Sequence, residues 1–407
     1  MRAVVFHGVG DIRIDDVDEP KLRAETDVIV RLTSSAICGT DLHLVRGTMQ
    51  GMKPGTILGH EGVGVVESFG SGVRNLKEGD RVVIPSTIGC GVCSYCRAGY
   101  FSQCDRANPN GPLAGTAFFG GPADTGPFDG LQAEKARVPF GNVGLVKLPD
   151  EVCDEQAILL SDIFPTGWFG AELAEIKPGN TVAVFGCGPV GQFAVASAKL
   201  KGAGRVFAVD TVPSRLDMAR TQGAEVIDYE EDDPVEALRE LTLGIGVDRA
   251  VDAVGVDANH AHDGRAGAKM KPLRKHFRQE VEEIVPRPSP DGDNWHPGDG
   301  PSQVHIWAVE GLAKAGTLSI IGLYPSSVRS FPIGVAMTRN LTLKMGNCDH
   351  RRYIPQLLGM IRSGVVDPTE ILTQRHPLTS AIEAYRAFDT RAPGWVKVEL
   401  DPTRLAA

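Results

Sequence analysis

One long uncharged run, Pro178 to Ala198, stands out in the pattern of apolar and polar positions along the chain. It is long enough for a membrane helix, yet its core, TVAVFGCGPVGQFAVASA, carries Gly186, Gly188, Gly191, Pro189 and Gln192. That punctuation predicts a buried strand, a tight turn and an apolar helix instead of a span. The rhythm repeats downstream. RVFAVD, ending at Asp210, VDRAVDAVG (Val247–Gly255) and GTLSIIGLYP (Gly316–Pro325) read as strands, and VHIWAVEGLAKAG reads as a helix. Strands alternating with helices predict an α/β protein with a doubly wound parallel sheet. The opening MRAVVFHGVG reads as a first strand and lacks the pattern of a secretory or transit peptide, so a reducing cytoplasmic setting is expected.

The order of the segments predicts two domains. Residues 1–160 and 347–407 form one domain split in sequence, and 161–346 form the α/β domain between its halves. The second domain carries about 45 residues, 257–303, beyond what the fold needs. Within them LRKHFRQEVEEI (Leu273–Ile284) predicts a short helix, and the Pro/Gly/Asp-rich remainder reads as irregular. The insertion emerges at the C-terminal edge of the sheet, where open α/β sheets bind their ligands, so it is either a mobile surface or oligomer loop or a lid over a bound ligand. Its histidines, His260, His262, His276 and His296, and the following His305, could suggest another metal, but their irregular spacing on a polar loop reads as solvated side chains.

Charge narrows the function. A net charge of −9 argues against nucleic acid, which requires a clustered basic surface. The expected partner is a small molecule, with neither nucleic acid nor membrane involved.

Cysteine usage sharpens this further. Four of the eight cysteines fall in GCGVCSYCRAGYFSQC (89–104) as Cys90, Cys93, Cys96 and Cys104. Four thiolates so spaced can close a tetrahedron around a structural zinc. Unpaired thiols, a disulfide knot or a small iron–sulfur site are the alternatives. A zinc-bearing nucleic-acid module is disfavoured because no basic helix follows. A second set is dispersed: Cys38 in AICGTDLHLVRG, His60 in LGHEGVGVV and Asp162 in LLSDIFPTGW. Thiolate, imidazole and carboxylate with an open fourth position suit a catalytic zinc. Singly, Cys38 could be a core cysteine, His60 a buried histidine and Asp162 a helix N-cap.

In the strand–turn–helix segment, Gly186 makes the turn, Gly188 admits a pyrophosphate and Gly191 permits close helix packing. Pro189 and Val190 open the helix, whose N-terminus favours phosphate. Asp210, nineteen residues after Gly191, accepts from ribose hydroxyls and repels a 2′-phosphate, favouring NAD, while Arg215 nearby offers a cation to that phosphate.

GHEGVGVV, the four-cysteine lobe and SDIFPTGW together resemble the zinc-dependent medium-chain alcohol dehydrogenase family over nearly the whole chain. Within it the pattern resembles the glutathione-independent formaldehyde dehydrogenases. The resemblance implies a GroES-like β-rich catalytic domain, a Rossmann domain and two zinc ions. It implies Cys38, His60 and Asp162 as ligands of the catalytic zinc, with Glu61 an occasional ligand or nearby carboxylate, and a proton relay through Thr40 and His43. It further implies that Val254 and Leu323 line the nicotinamide, that Thr166 touches its face and that Lys397 approaches the pyrophosphate. The implied reaction moves a hydride between an alcohol or hydrated aldehyde and NAD in a homodimer or homotetramer. The alternative is an aldehyde dismutase or formaldehyde dehydrogenase that retains NAD, as the insertion does in those enzymes.

Overall fold

The computed structural model describes residues 1–111, 113–285 and 295–404. The chain divides into two compact units, Met1–Pro165 with Trp295 and Asn347–Ala407, and Thr166–Pro286 with His296–Gly346.

The second unit is built on a six-stranded parallel sheet in the order Glu225–Asp228, Arg205–Asp210, Thr181–Phe185, Val247–Asp252, Leu312–Ile320, Thr342–Met345. The central strands Thr181–Phe185 and Arg205–Asp210 carry the buried apolar runs TVAVF and VFAV, because both of their faces are covered. Ala183, Phe185, Phe207 and Val209 point into one core, and Val182, Val184, Val206 and Ala208 into the other. The glycine run sits where the first strand of this unit turns into the helix Pro189–Leu200. Gly186 has φ of +85°, which side chains seldom adopt, and a Cβ on Gly191 would stand 1.8 Å from the Gly186 carbonyl oxygen. Those two glycines are therefore required by the turn itself.

Two segments differ from the sequence-based expectation. VHIWAVEGLAKAG is helical only within Gln303–Gly311, and LAKAG already belongs to the strand Leu312–Ile320. Ala, Leu and Lys favour helix, but parallel pairing with Val247–Asp252 overrides that weak preference. The insertion is also more than surface. Its helix Arg274–Ile284 and the preceding helix Gly264–Met270 place Phe277, Met270 and Ala266 in the core beside Trp307. Residues 286–294 of the Pro/Gly/Asp stretch lie outside the described residues. His260 and His305 are buried, at 8 % and 5 % exposure, so these two are not solvated; His262, His276 and His296 are exposed.

The first unit carries a seven-stranded, mostly antiparallel sheet centred on Val28–Ile37. That strand pairs with Gly62–Phe69 on one side and Val398–Asp401 on the other, in the registers Ser35↔Gly62 and Val398↔Ile37. These registers bring Cys38, just past one strand, level with His60 and Glu61, just before the second, and Lys397, just before the third. Residues more than 300 apart in sequence thus meet at one end of a sheet.

Candidate active site

Cys38 is the N-cap of the helix Gly39–Arg46, and its backbone N–H donates to Asp41 Oδ2 at 2.9 Å. The other oxygen, Oδ1, lies 3.1 Å from His60 Nδ1. One buried carboxylate therefore sets both the cysteine turn and the orientation of the imidazole, leaving His60 Nε2 free to face the site. Gln132 donates to Asp41 Oδ2 and accepts from Tyr385 Oη, so Asp41 is itself held.

Asp162 follows the helix Asp154–Ser161 as its C-cap and immediately precedes the helix Ile163–Leu173. Ser161 fixes this corner, donating to Ile84 O and accepting from Gly62 N–H. Asp162 Oδ2 lies 3.1 Å from His60 Nε2 and 3.7 Å from Cys38 Sγ. On the far side, Asp162 Oδ1 lies 2.6 Å from His350 Nε2, and His350 Nδ1 lies 3.0 Å from Thr87 Oγ1. An approach of 2.6 Å between two lone pairs would be repulsive, so His350 Nε2 carries the proton that Asp162 accepts.

The donor atoms of Cys38, His60, Glu61 and Asp162 all lie within 4.8 Å of one another, and all four residues are buried. Burial disfavours an ionised Asp162, but His350 and His60 outweigh it and hold the carboxyl well below its usual range. Burial pushes the Cys38 thiol up, partly offset by His60 and Lys397. The set fits a divalent cation. Glu61 Oε2 is buried with no hydrogen-bond partner among the described residues, a costly state for a carboxylate that a nearby metal would relieve.

Lys397 is the correction. Rather than reaching a pyrophosphate, it is fully buried, with its ammonium on Glu61 Oε1 and 3.1 Å from Ile37 O. Burial opposes its charge, but Glu61, Cys38 and Asp162 around it keep it protonated. Asp41 and His350 were not among the sequence candidates. Asp41 had a local signal, a carboxylate three residues past Cys38 at a helix start. His350, 188 residues from Asp162, had none.

Thr40 and His43 lie three apart on the helix that starts after Cys38, the spacing that places side chains on one face. His43 is buried, with Nδ1 3.0 Å from Thr48 Oγ1. The loop 105–131 brings Phe118 edge-on to His60, with 6.3 Å between ring centroids.

The second cluster is compact. Cys90, Cys93, Cys96 and Cys104 hold their sulfurs within 4.8 Å of one another, and all eight cysteines of the chain are free. Backbone N–H groups of Cys90, Val92, Cys93 and Cys96 point at the sulfurs at 3.2–3.5 Å. Burial opposes ionisation of Cys93, but the Cys96 amide and neighbouring thiols bring it down to about 7. Such a nest of amides around four sulfurs suits a closed tetrahedral metal site.

In the second unit, Val254 covers the glycine turn and would touch a Cβ on Gly186, while Leu323 O accepts from Val256 N–H. The turn, Val254 and Leu323 thus share one end of the sheet. Pro189 is N1 of the helix and Val190 follows it. Arg215 Nη1 would be 3.9 Å from a Cβ on Gly188. Asp210 has a second duty unforeseen from sequence: Oδ2 accepts from Cys187 N–H at 2.7 Å, and Oδ1 accepts from the amides of Thr211 and Val212. Thr166 lies on the helix Ile163–Leu173 and is half-buried.

The family model of the alcohol dehydrogenase GroES-like domain matches residues 24–150, and that of the zinc-binding dehydrogenases matches 189–262. An uncharacterized zinc-type alcohol dehydrogenase-like protein, AdhB of Bacillus subtilis, is 37 % identical over 99 % of this chain and 100 % of its own. The glutathione-independent formaldehyde dehydrogenase of Pseudomonas aeruginosa is 40 % identical, over 65 % of this chain and 68 % of its own. Among solved structures, the alcohol dehydrogenase TADH from Thermus sp. ATN1 superposes with a TM-score of 0.78 at 33 % identity, covering 98 % of this chain and 99 % of that one. The fold is thus a GroES-like domain joined to a Rossmann domain, and the chain belongs to the zinc-type medium-chain alcohol dehydrogenases. It is an oxidoreductase of that family, whose substrates are small alcohols or aldehydes.

Proposed function

We propose that this chain is an NAD-dependent alcohol dehydrogenase that holds a catalytic zinc on Cys38, His60 and Asp162 and a structural zinc on Cys90, Cys93, Cys96 and Cys104. The observation that carries this reading is the convergence of the first three donors on one buried point beside the unpartnered Glu61 oxygen. When bound, zinc polarises an oxygen ligand, lowering the pKa of a bound water or hydroxyl toward neutrality, while NAD accepts the hydride. The chain's own residues do the rest. Asp41 and His350 hold His60 and Asp162 in orientation. Lys397 balances the negative charge of Glu61 inside the protein. Thr40 and His43 carry the alcohol proton outward, His43 passing it on beside Thr48. The glycine turn and the N-terminus of Pro189–Leu200 receive the pyrophosphate, with Val254 and Leu323 against the nicotinamide and Thr166 at its face. Asp210 selects against a 2′-phosphate.

Steady-state assay against short alcohols and aldehydes, with NAD or NADP, tests this reading together with elemental analysis. Two zinc ions per chain and NAD-dependent alcohol oxidation are expected; activity with NADP alone would overturn the cofactor choice. The second reading, a dismutase with retained NAD, is favoured by the 40 % identity to a formaldehyde dehydrogenase. It requires NAD released on acid denaturation and conversion of aldehyde to alcohol plus acid with no cofactor added.

No helix among the described residues is long and apolar enough to cross a membrane. We place the enzyme in the cytoplasm, in keeping with its free thiols. We expect a homodimer or homotetramer, because Thr342–Met345 is an open sheet edge with Met345 62 % exposed. Size-exclusion chromatography with light scattering reads this directly.

A further inference from the structure

His260 and His262 open the insertion and Asp299 lies near its end, 37 residues beyond His262. The fold nevertheless puts them together, with one donor atom from each within 4.8 Å of the others. Asp299 Oδ2 is 3.2 Å from His262 Nε2 and 3.7 Å from His260 Nε2. Two ligands about 2.1 Å from a tetrahedral centre stand about 3.4 Å apart, so these separations suit a shared metal.

Each group is held in place. Asp299 Oδ1 accepts the His260 backbone N–H at 2.9 Å, turning Oδ2 towards the imidazoles. Gly298 and Gly300 flank Asp299 because the two chain segments run in contact: a Cβ on Gly298 would be 2.3 Å from Asp257 C, and one on Gly300 2.7 Å from His260 N. Gly300 N–H also donates to Ala258 O. The His260 ring stacks on buried Phe277, at 5.7 Å between centroids. His262 has an exposed ring on a fixed backbone, its N–H donating to Glu230 and its carbonyl accepting from Arg274.

His260 Nδ1 lies 3.1 Å from Ala261 O, which can only accept, so Nδ1 donates there and Nε2 is the nitrogen turned to the Asp299 side. A carbonyl-anchored Nδ1–H is how metal-binding histidines are oriented.

We propose that His260, His262 and Asp299 form a further divalent-metal site, for a borderline cation of the zinc class, which clips together the two ends of the insertion. With three protein ligands and an exposed His262, the site keeps open positions and exchanges with solvent.

The test uses the full-length enzyme, dialysed against micromolar Zn²⁺, with total zinc per chain measured for the natural chain, His262→Gln and Asp299→Asn. His262 is exposed, and Asn keeps the oxygen that accepts the His260 amide, so neither change threatens the fold. Each variant is expected to bind one equivalent less than the natural chain, whatever the cysteine-containing sites hold. Added Zn²⁺ should also raise the Tm of the natural chain in a concentration-dependent way, and that of the variants less. Equal zinc content in all three proteins overturns the proposal.

Discussion

The four-cysteine lobe and the Cys38–His60–Asp162 site both gather metal-binding side chains, yet they are built on opposite principles. The lobe draws its candidate donors from 15 consecutive residues and orients them with backbone amides. The other site draws its candidate donors from 125 residues and holds them with side chains that are themselves buried and ionisable: Asp41 on His60, His350 on Asp162 and Lys397 on Glu61. A backbone nest can be set by spacing alone and closes on a metal with no room for chemistry. A side-chain network costs more to bury, but it can leave one coordination position open.

The largest test exchanges the roles. Asp162→Ala is expected to lower turnover by at least about 10⁴-fold, about 5.5 kcal/mol, with little change in the urea midpoint. Cys93→Ser should lose one zinc and lower the midpoint, while the folded fraction turns over within about threefold of the natural rate. Steady-state kinetics, zinc content and urea unfolding on both variants would expose the opposite pattern, which would dissolve the distinction.

Next in size is the charge buried beneath the open site. Lys397→Met leaves Glu61 with an uncompensated charge and should destabilise the first unit by about 3–5 kcal/mol. Lys397→Met with Glu61→Leu should regain most of that loss, since removing a whole buried pair is close to neutral. If the double variant unfolds as early as the single one, Lys397 matters through packing and the pair carries no special weight.

The contrast also explains what could be read in advance. The lobe was legible because its geometry is local, and the glycine turn because only glycine satisfies +85° at 186 and the 1.8 Å approach at 191. Cys38, His60 and Asp162 could be singled out, but each had a plausible structural role alone; the resemblance joined them, and the strand registers show why they meet. Lys397 was misassigned because a lysine before a last strand looks exposed, and nothing in GWVKVEL signals that its neighbour across the sheet is Glu61. His350 was invisible for the same reason. The start of Leu312–Ile320 was misread because alanine and lysine promote helix, whereas the register with Val247–Asp252 is a property of the whole sheet.

A smaller effect tests whether the network works through orientation. His350→Phe removes the proton that Asp162 accepts and should lower turnover or catalytic-zinc retention by about 10–100-fold. His350→Gln, which can still donate to Asp162 Oδ1, should recover most of it. Equal losses in the two variants would mean that His350 contributes bulk, and the carboxylate is held by Ser161 and the helix end alone.

The smallest predicted effect lies in the other unit, where one carboxylate has two jobs. Asp210 holds the amides of Cys187, Thr211 and Val212, so Asp210→Ser loosens the glycine turn as well as removing charge from the ribose side. A fall in kcat/KM with NAD alone would therefore say nothing about selectivity. The ratio of kcat/KM for NAD to that for NADP cancels the loosened turn, because both cofactors bind the same pyrophosphate site. That ratio should fall by at least about tenfold, about 1.4 kcal/mol, as repulsion of the 2′-phosphate is lifted and Arg215 is left to attract it. An unchanged ratio would assign Asp210 wholly to the turn and move the choice between the two cofactors to other residues.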